Sequence, residues 1–325
     1  MAPRIGIVVP NHLPHYNFLE EWGEQFQLKD AEFFIVQDLG KKVPLPDGFN
    51  GYLYDHEDIA KDLGLKHSWI IPKGTSACRS YGYYKAWQAG CDYIITLDND
   101  CYPDGSNFIG GHLDNLQTEV TLGWWPSNNQ FEFTRGYPYD IRNKNKVGVS
   151  HGIWSQVPDL DAATALNNID LRFRPAKWHE VDLIPQNNFY TMCGMNLAWR
   201  AELTPIMYFG IFGPDWGFDQ YDDIWAGVLS KKVMDHLGYA VLTGYPSVEH
   251  RKQSNVYVNL RKQAPGLEMN EYFWEVVRDI KLTSDNIIDS YEELILKLPE
   301  NFKNEPEGWT SKFKQAALIW INLFK

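Results

Sequence analysis

No G-x-G-x-x-G and no G-x-x-x-x-G-K-[ST] stretch occurs in this chain. The glycine-rich cradles that usually hold NAD, flavins or P-loop phosphates are therefore not expected, and a bound diphosphate would need a cation or Arg and Lys instead. Cysteine is scarce: Cys78, Cys91, Cys101 and Cys193 form no C-x-x-C pair and no zinc spacing, which reads as free thiols in a reduced, cytoplasmic protein. No run approaches the ~20 apolar residues of a membrane span. The N-terminal run Ile5–Val9 meets Pro10 too soon for a signal-peptide core and reads as a buried strand. Positive charge is short as well, with 30 Lys and Arg against 42 Asp and Glu, a formal charge of −12. That balance argues against nucleic acid as a partner. Repeats, low-complexity tracts and Gly/Ser linkers are missing too.

What is present is ordinary core material, 44% hydrophobic and 22% charged over 325 residues, enough to bury a core without metal or disulfide staples. Aromatics are plentiful, at 13 Trp, 18 Tyr and 17 Phe; they suit sugar rings and bases but are first of all packing residues. Strand-like runs at Ile5–Val9, Phe33–Val36, Ser68–Ile71 and Tyr93–Leu97 alternate with helical spacing at Phe18–Phe26, Glu57–Leu63 and Ser76–Ala89. The alternation predicts an α/β fold with a mainly parallel central sheet flanked by helices. Residues 123–214 read as long loops with short strands. Asp222–Leu237 reads as a helix stopped by Gly238, followed by a short strand at Tyr239–Thr243. Helices at Tyr272–Ile280, Ile287–Leu298 and Thr310–Phe324 form a C-terminal appendage.

In such sheets ligands bind beyond the carboxyl ends of the strands, where Asn11, Asp38 and the Asp98-Asn99-Asp100 loop fall. Two carboxylates at i and i+2 after a buried strand can direct oxygens at one hard cation, Mn²⁺ or Mg²⁺; a solvated turn fits the pattern as well. A second copy, Asp159-Leu-Asp161, has no apolar strand before it and reads as turn or capping chemistry. Asp222 and Asp223 open a helix, where acidic residues are common for structural reasons. Trp124 and Trp125 can stack on a ring or pack in the core.

A set of segments goes further: FLEEW (18–22), LYDHEDI (53–59), SACRSYGY (76–83), ITLDNDC (95–101), RGYPYDIR (135–142), VSHGIWSQVPDLDA (149–162), MCGMNLAW (192–199), YDDIWAG (221–227) and SNVYVNLRK (254–262). In sequence and order the chain resembles the reversibly glycosylated polypeptides, the UDP-arabinopyranose mutases of plants. The resemblance implies a GT-A-like nucleotide-sugar domain over residues 1–264 and a helical extension over 265–325. It also implies a UDP-sugar partner, a Mn²⁺ or Mg²⁺ cofactor with no flavin or nicotinamide, and interconversion of UDP-L-arabinopyranose and UDP-L-arabinofuranose. A metal-dependent, self-glycosylating transferase is the alternative, and a non-catalytic UDP-sugar-binding subunit a third reading. A homo-oligomer is compatible with all of them.

Residue by residue, the resemblance places the metal on Asp98 and Asp100, with His250 as a third ligand of the kind GT-A enzymes supply late in the chain. Catalysis falls to Arg135, Arg142, Asp222 and Asp223. The position of Arg135 is the one the family glycosylates, although a guanidinium is a poor nucleophile and would need a carboxylate such as Asp140 beside it; a diphosphate clamp is the other role. Asn11, Asp38, Arg79, His151 and Lys262 are candidates for substrate contact. Two departures stand out: Asn99 where the family carries the middle of three Asp, and FGIFGPDWGFDQYDD (209–223) in place of a glycine-rich spacing.

Overall fold

The computed structural model describes residues 2–13, 16–27, 31–47, 49–125, 133–172, 180–251 and 254–325. The first half builds strand–helix units: β1 (Ile5–Asn11), α1 (Asn17–Gln27), β2 (Glu32–Gln37), β3 (Gly51–Tyr54), α2 (His56–Leu63), α3 (Arg79–Gln88), β4 (Tyr93–Leu97), β5 (Cys101–Tyr102) and α4 (Phe108–Gln117). The second half adds β6 (Glu119–Val120), β7 (Asn145–Gln156), α5 (Ala162–Leu166), β8 (Val181–Leu183), β9 (Asn196–Arg200), α6 (Asp222–Leu237) and β10 (Ala240–His250). Three helices follow: α7 (Val256–Asp279), α8 (Ile287–Lys297) and α9 (Trp309–Asn322).

The sheet runs β3-β2-β1-β4-β9-β7-β10-β5. Its first four strands are parallel, as are β7 and β10, while β9 lies antiparallel between β4 and β7. Period-two alternation sorts β1 onto two faces. Ile5, Ile7 and Val9 join a core with α1 and α4, whereas Val8 joins the core beneath α3, α6 and the C-terminal helices. The helix boundaries follow their capping residues. Asp55 and Asp58 make a reciprocal capping box at the start of α2, Asn255 accepts from Tyr257 and Val258 N–H at the start of α7, and left-handed Gly238 closes α6.

Four expectations change. Ser68–Ile71 is a 3₁₀ turn with i→i+3 bonds from Ile70 N to His67 O and Ile71 N to Ser68 O, and the edge strand comes earlier, at β3. Within the stretch read as loops lies the 12-residue β7, whose Ser, His and Gly interrupt the apolar pattern without breaking the ladder. The strand after α6 reaches His250 rather than Thr243. α7 starts sixteen residues before Tyr272 and runs through Pro265, and Gly266 lets the Tyr221 ring pack where a Cβ would stand 2.3 Å from it. The side chain of Phe26 and parts of 123–214 lie outside the described residues.

The last helix packs on the segment that leads into α6. Trp320 stacks on Tyr208 at 5.1 Å between ring centroids, and the indoles of Trp309 and Trp320 donate to the carbonyls of Ile211 and Pro205. Among the described residues no helix is long and apolar enough to cross a membrane.

Candidate active site

At the carboxyl ends of β1, β2 and β4 a cleft of about 250 Å³ opens, lined by Asn11, Asp38, Gly74, Arg79, Asp98 and Asp100 among others. A buried amide chain forms its floor. Asn99 donates to the Asn11 side-chain carbonyl at 2.7 Å, the Asn11 amide donates to Gln37 Oε1 at 2.8 Å, and Gln37 donates to Leu39 O at 2.6 Å. The chain gives Asn99 a physical reason: the acceptor it faces needs an N–H, which an ionised Asp lacks. Asp38 sits on the cleft wall and accepts from Gly74 N and His56 Nε2, each at 3.0 Å, fixing the loop that leads into α3.

Arg79, in the first turn of α3, is fully buried. Its Nε donates to Ser76 O, Nη1 to Thr96 Oγ1 and Gly194 O, and Nη2 to Asp98 Oδ1. Burial alone would lower its pKa, but the Asp98 carboxylate beside it, with Asp222 and others, raises it above the ordinary value. Arg79 is thus an ion-paired anchor of Asp98 as well as part of the cleft wall. Gly194 is the pivot of this arrangement. A Cβ there would stand 2.4 Å from Arg79 Nη1, and its N–H donates to Asp223 Oδ2 at 3.3 Å. Asp222 is buried and accepts from Ser76 Oγ at 2.7 Å. Burial, ahead of other effects, raises both carboxyls, and for Asp223 the neighbouring Asp222 and Asp159 carboxylates push the same way.

Asp100 and His250 meet across the short β5–β10 ladder, in which His250 pairs with Cys101. His250 Nε2 lies 3.9 Å from Asp100 Oδ2, while Nδ1 lies 2.9 Å from Val157 O. A backbone carbonyl at Nδ1 requires the proton there, so the Nε2 lone pair faces Asp100, as in a metal-ligating histidine with its outer-shell acceptor. Among the described residues no group of three or more His, Cys, Asp and Glu stands together as a metal-holding cluster; Asp98 is turned to Arg79. The hard oxygen and imidazole donors of Asp100 and His250 fit Mn²⁺ or Mg²⁺.

The remaining candidates lie apart. Arg142 is held by aromatic faces, 3.9 Å from the Tyr139 centroid and 4.5 Å from that of Phe133, and donates to Tyr137 O at 2.8 Å. Arg135 is exposed, and among the described residues no hydrogen bond or ion pair holds it to Asp140 or to Asp222 and Asp223. Both arginines line a cavity that shares no residue with the cleft of Asp98. His151 is buried in β7, with Nδ1 3.0 Å from Tyr190 OH and Nε2 without a partner. Lys262 pairs with Asp219 at 3.1 Å, tying α7 to the loop before α6. Trp124 and Trp125 are exposed.

Three participants escaped the sequence reading. Asp161 caps α5, as expected of a turn, but Asp159 accepts from Cys193 Sγ at 3.3 Å, which brings it beside Gly194 and Asp223. The signal was its place just after β7.

With this geometry in view, the sequence matches the reversibly glycosylated polypeptide family model over residues 2–325. The chain belongs to this family. It is similar to UDP-arabinopyranose mutase 1 of Arabidopsis thaliana, 36% identical over 99% of this chain and 92% of the relative. Its similarity to probable UDP-arabinopyranose mutase 1 of Solanum tuberosum is 38% over 99% and 90%, and to UDP-arabinopyranose mutase 1 of Oryza sativa subsp. japonica 34% over 99% and 90%. Family members and this chain thus share the whole length, helical tail included.

Proposed function

We propose that the chain is a UDP-arabinopyranose mutase that interconverts UDP-L-arabinopyranose and UDP-L-arabinofuranose. The observation that carries the reading is the end-to-end relation to mutases in a chain whose acidic loop, Asp98–Asp100, opens on the cleft at the strand ends. In this reading the uridine side of the substrate takes the Asn11–Asp38 end of the cleft, and the diphosphate lies toward Asp98 and Asp100. Asp100 and His250 hold a divalent cation, with Asp98 contributing from its pairing with Arg79. When bound, that cation offsets the charge of the departing diphosphate.

The chain's own residues supply the rest. The Arg79–Asp98 pair fixes the acidic loop against α3. Asp223, part-buried and raised by its neighbours, keeps a proton available at neutral pH for a sugar oxygen. Arg135 and Arg142 serve anion contact. An exposed, charged guanidinium without a carboxylate partner suits that role better than nucleophilic attack.

The test is purified protein with Mn²⁺ and UDP-L-arabinopyranose, the nucleotide sugars being separated chromatographically. A UDP-arabinofuranose peak without added acceptor is expected; free UDP released only when an acceptor is supplied would make the protein a transferase. Intact mass after incubation reports self-glycosylation, and an adduct persisting in Arg135→Ala would move the attachment elsewhere.

A further inference from the structure

Cys193 and Gly194 are consecutive, and each holds a different carboxylate: Cys193 Sγ donates to Asp159 Oδ2 at 3.3 Å, and Gly194 N donates to Asp223 Oδ2 at 3.3 Å. Asp159 comes from the loop after β7 and Asp223 from the first turn of α6, so one backbone step brings together acids 64 residues apart. Their surroundings differ. Asp159 is exposed to the cleft solvent, whereas Asp223 is part-buried behind Gly194.

The overall isomerisation sets a requirement that does not depend on the order of its steps. Pyranose and furanose differ by one proton and one ring bond: O5 leaves C1 and becomes a hydroxyl, while the O4 hydroxyl loses its proton and becomes the ring oxygen. The bond to UDP is the same before and after. One proton must therefore be given and one taken at neighbouring oxygens, with no net uptake.

We propose that Asp159 is a catalytic residue of this exchange and works opposite Asp223. As the C1–O5 bond breaks, its electron pair stays on O5, which takes the proton of Asp223. As O4 bonds to C1, the O4 proton passes to Asp159. The pair then holds the same single proton in the other position, and the reverse reaction uses it from there; exchange with solvent at exposed Asp159 resets the pair. Two facing carboxylates that share one proton are suited to this task, because their environments separate acid from base. The raised Asp223 carboxyl, pushed up by burial and then by Asp222 and Asp159, supports its role as the acid. The charged and titratable groups around the pair are Cys193, Asp98 and His250 toward Asp159, and Asp222 and Arg79 toward Asp223. Arg172 lines the cavity beside Asp159.

This inference rests on the mutase reading, and the experiment separates the two. Wild type and Asp159→Asn are assayed with Mn²⁺ and UDP-L-arabinopyranose across pH, alongside thermal melting and UDP binding. The variant is expected to lose kcat by about 100-fold or more, keep KM, UDP affinity and melting temperature, and lose the acid limb of the kcat profile, with Asp159→Glu recovering part of the rate. A merely structural residue would move stability or binding and leave the pH profile in place. If Asp159→Asn does not fold, Cys193→Ala keeps the carboxylate but removes the hydrogen bond that stabilises its anion, so the acid limb is expected at higher pH. Active wild type with wild-type kcat and pH profile in Asp159→Asn, or an unmoved profile in Cys193→Ala, overturns this proposal alone. Wild type that makes no furanose overturns the mutase reading and this proposal with it.

Discussion

Gly194→Ala tests the pivot of the site with a single methyl group. The new Cβ would stand 2.4 Å from Arg79 Nη1, 2.9 Å from Cζ and 3.2 Å from a Phe209 ring carbon. A guanidinium at the end of a flexible chain normally swings aside at little cost, but this one is buried and bonded to Ser76, Thr96, Gly194 and Asp98 at once. Overpacking a core costs about 1–3 kcal/mol, and a buried donor left unpaired adds about 1–3 kcal/mol, so a loss near 3 kcal/mol is expected. With an unfolding entropy of about 2.1 cal/mol/K per residue, a chain of 325 residues should melt about 4 °C lower. UDP affinity should fall too, because Asp98 loses its partner. The control is Gly23→Ala in α1, where nothing stands within 4 Å of the added carbon and a gain of up to about 1 kcal/mol is expected. Calorimetry and a UDP titration read both. A Gly194→Ala protein that melts with wild type and binds UDP equally would refute the claim that Arg79 is locked.

Asn99→Asp restores the residue the family resemblance leads one to expect, yet here it sets a carboxylate against the Asn11 carbonyl; a loss of about 1–3 kcal/mol should appear in denaturant melts, and unchanged stability would mean that the amide chain rearranges freely. Asp100→Ala should abolish metal-stimulated turnover while the protein melts normally, and an unchanged manganese dependence would remove Asp100 from the cation site. Acidification should weaken the fold through His151, whose pKa burial lowers to about 4 from 6.5. Between those values the unfolded chain takes up a proton that the native state refuses, so this contribution is full above pH 6.5 and is lost as pH falls. Raised Asp222 and Asp223 act in the opposite sense, so the reading is a comparison: the melting temperature of His151→Gln should fall less steeply than that of wild type from pH 6.5 to 4, and parallel curves would contradict it.

Strands β1, β2 and β4 were readable because short β-branched runs end at polar residues, and the acidic loop followed from them. β7 was not. Its Asn, Lys, Ser, His and Gly are compatible with a strand whose neighbours on both sides supply the packing, and periodicity cannot show neighbours. Missing β7 also hid Asp159, since the second D-x-D looked like a turn without a strand behind it. Arg79 was visible only as a cation; its pairing with Asp98 and its contact with Gly194 need the fold to bring residues 79, 98 and 194 together. The boundaries of α7 were obscured by Pro265 and Gly266, which ordinarily end helices and are here accommodated against Tyr221.

The acidic loop is pinned from outside the cleft. Trp22 donates to Cys101 O at 2.9 Å, Arg251 N to Asp100 O at 3.2 Å, and Cys101 pairs with His250. Its backbone therefore keeps its shape whether or not anything is docked, and little reorganisation is demanded when charge develops there. Adaptation to different sugars then falls to side chains beyond the loop, so evolution can retune what is bound without rebuilding where the diphosphate sits.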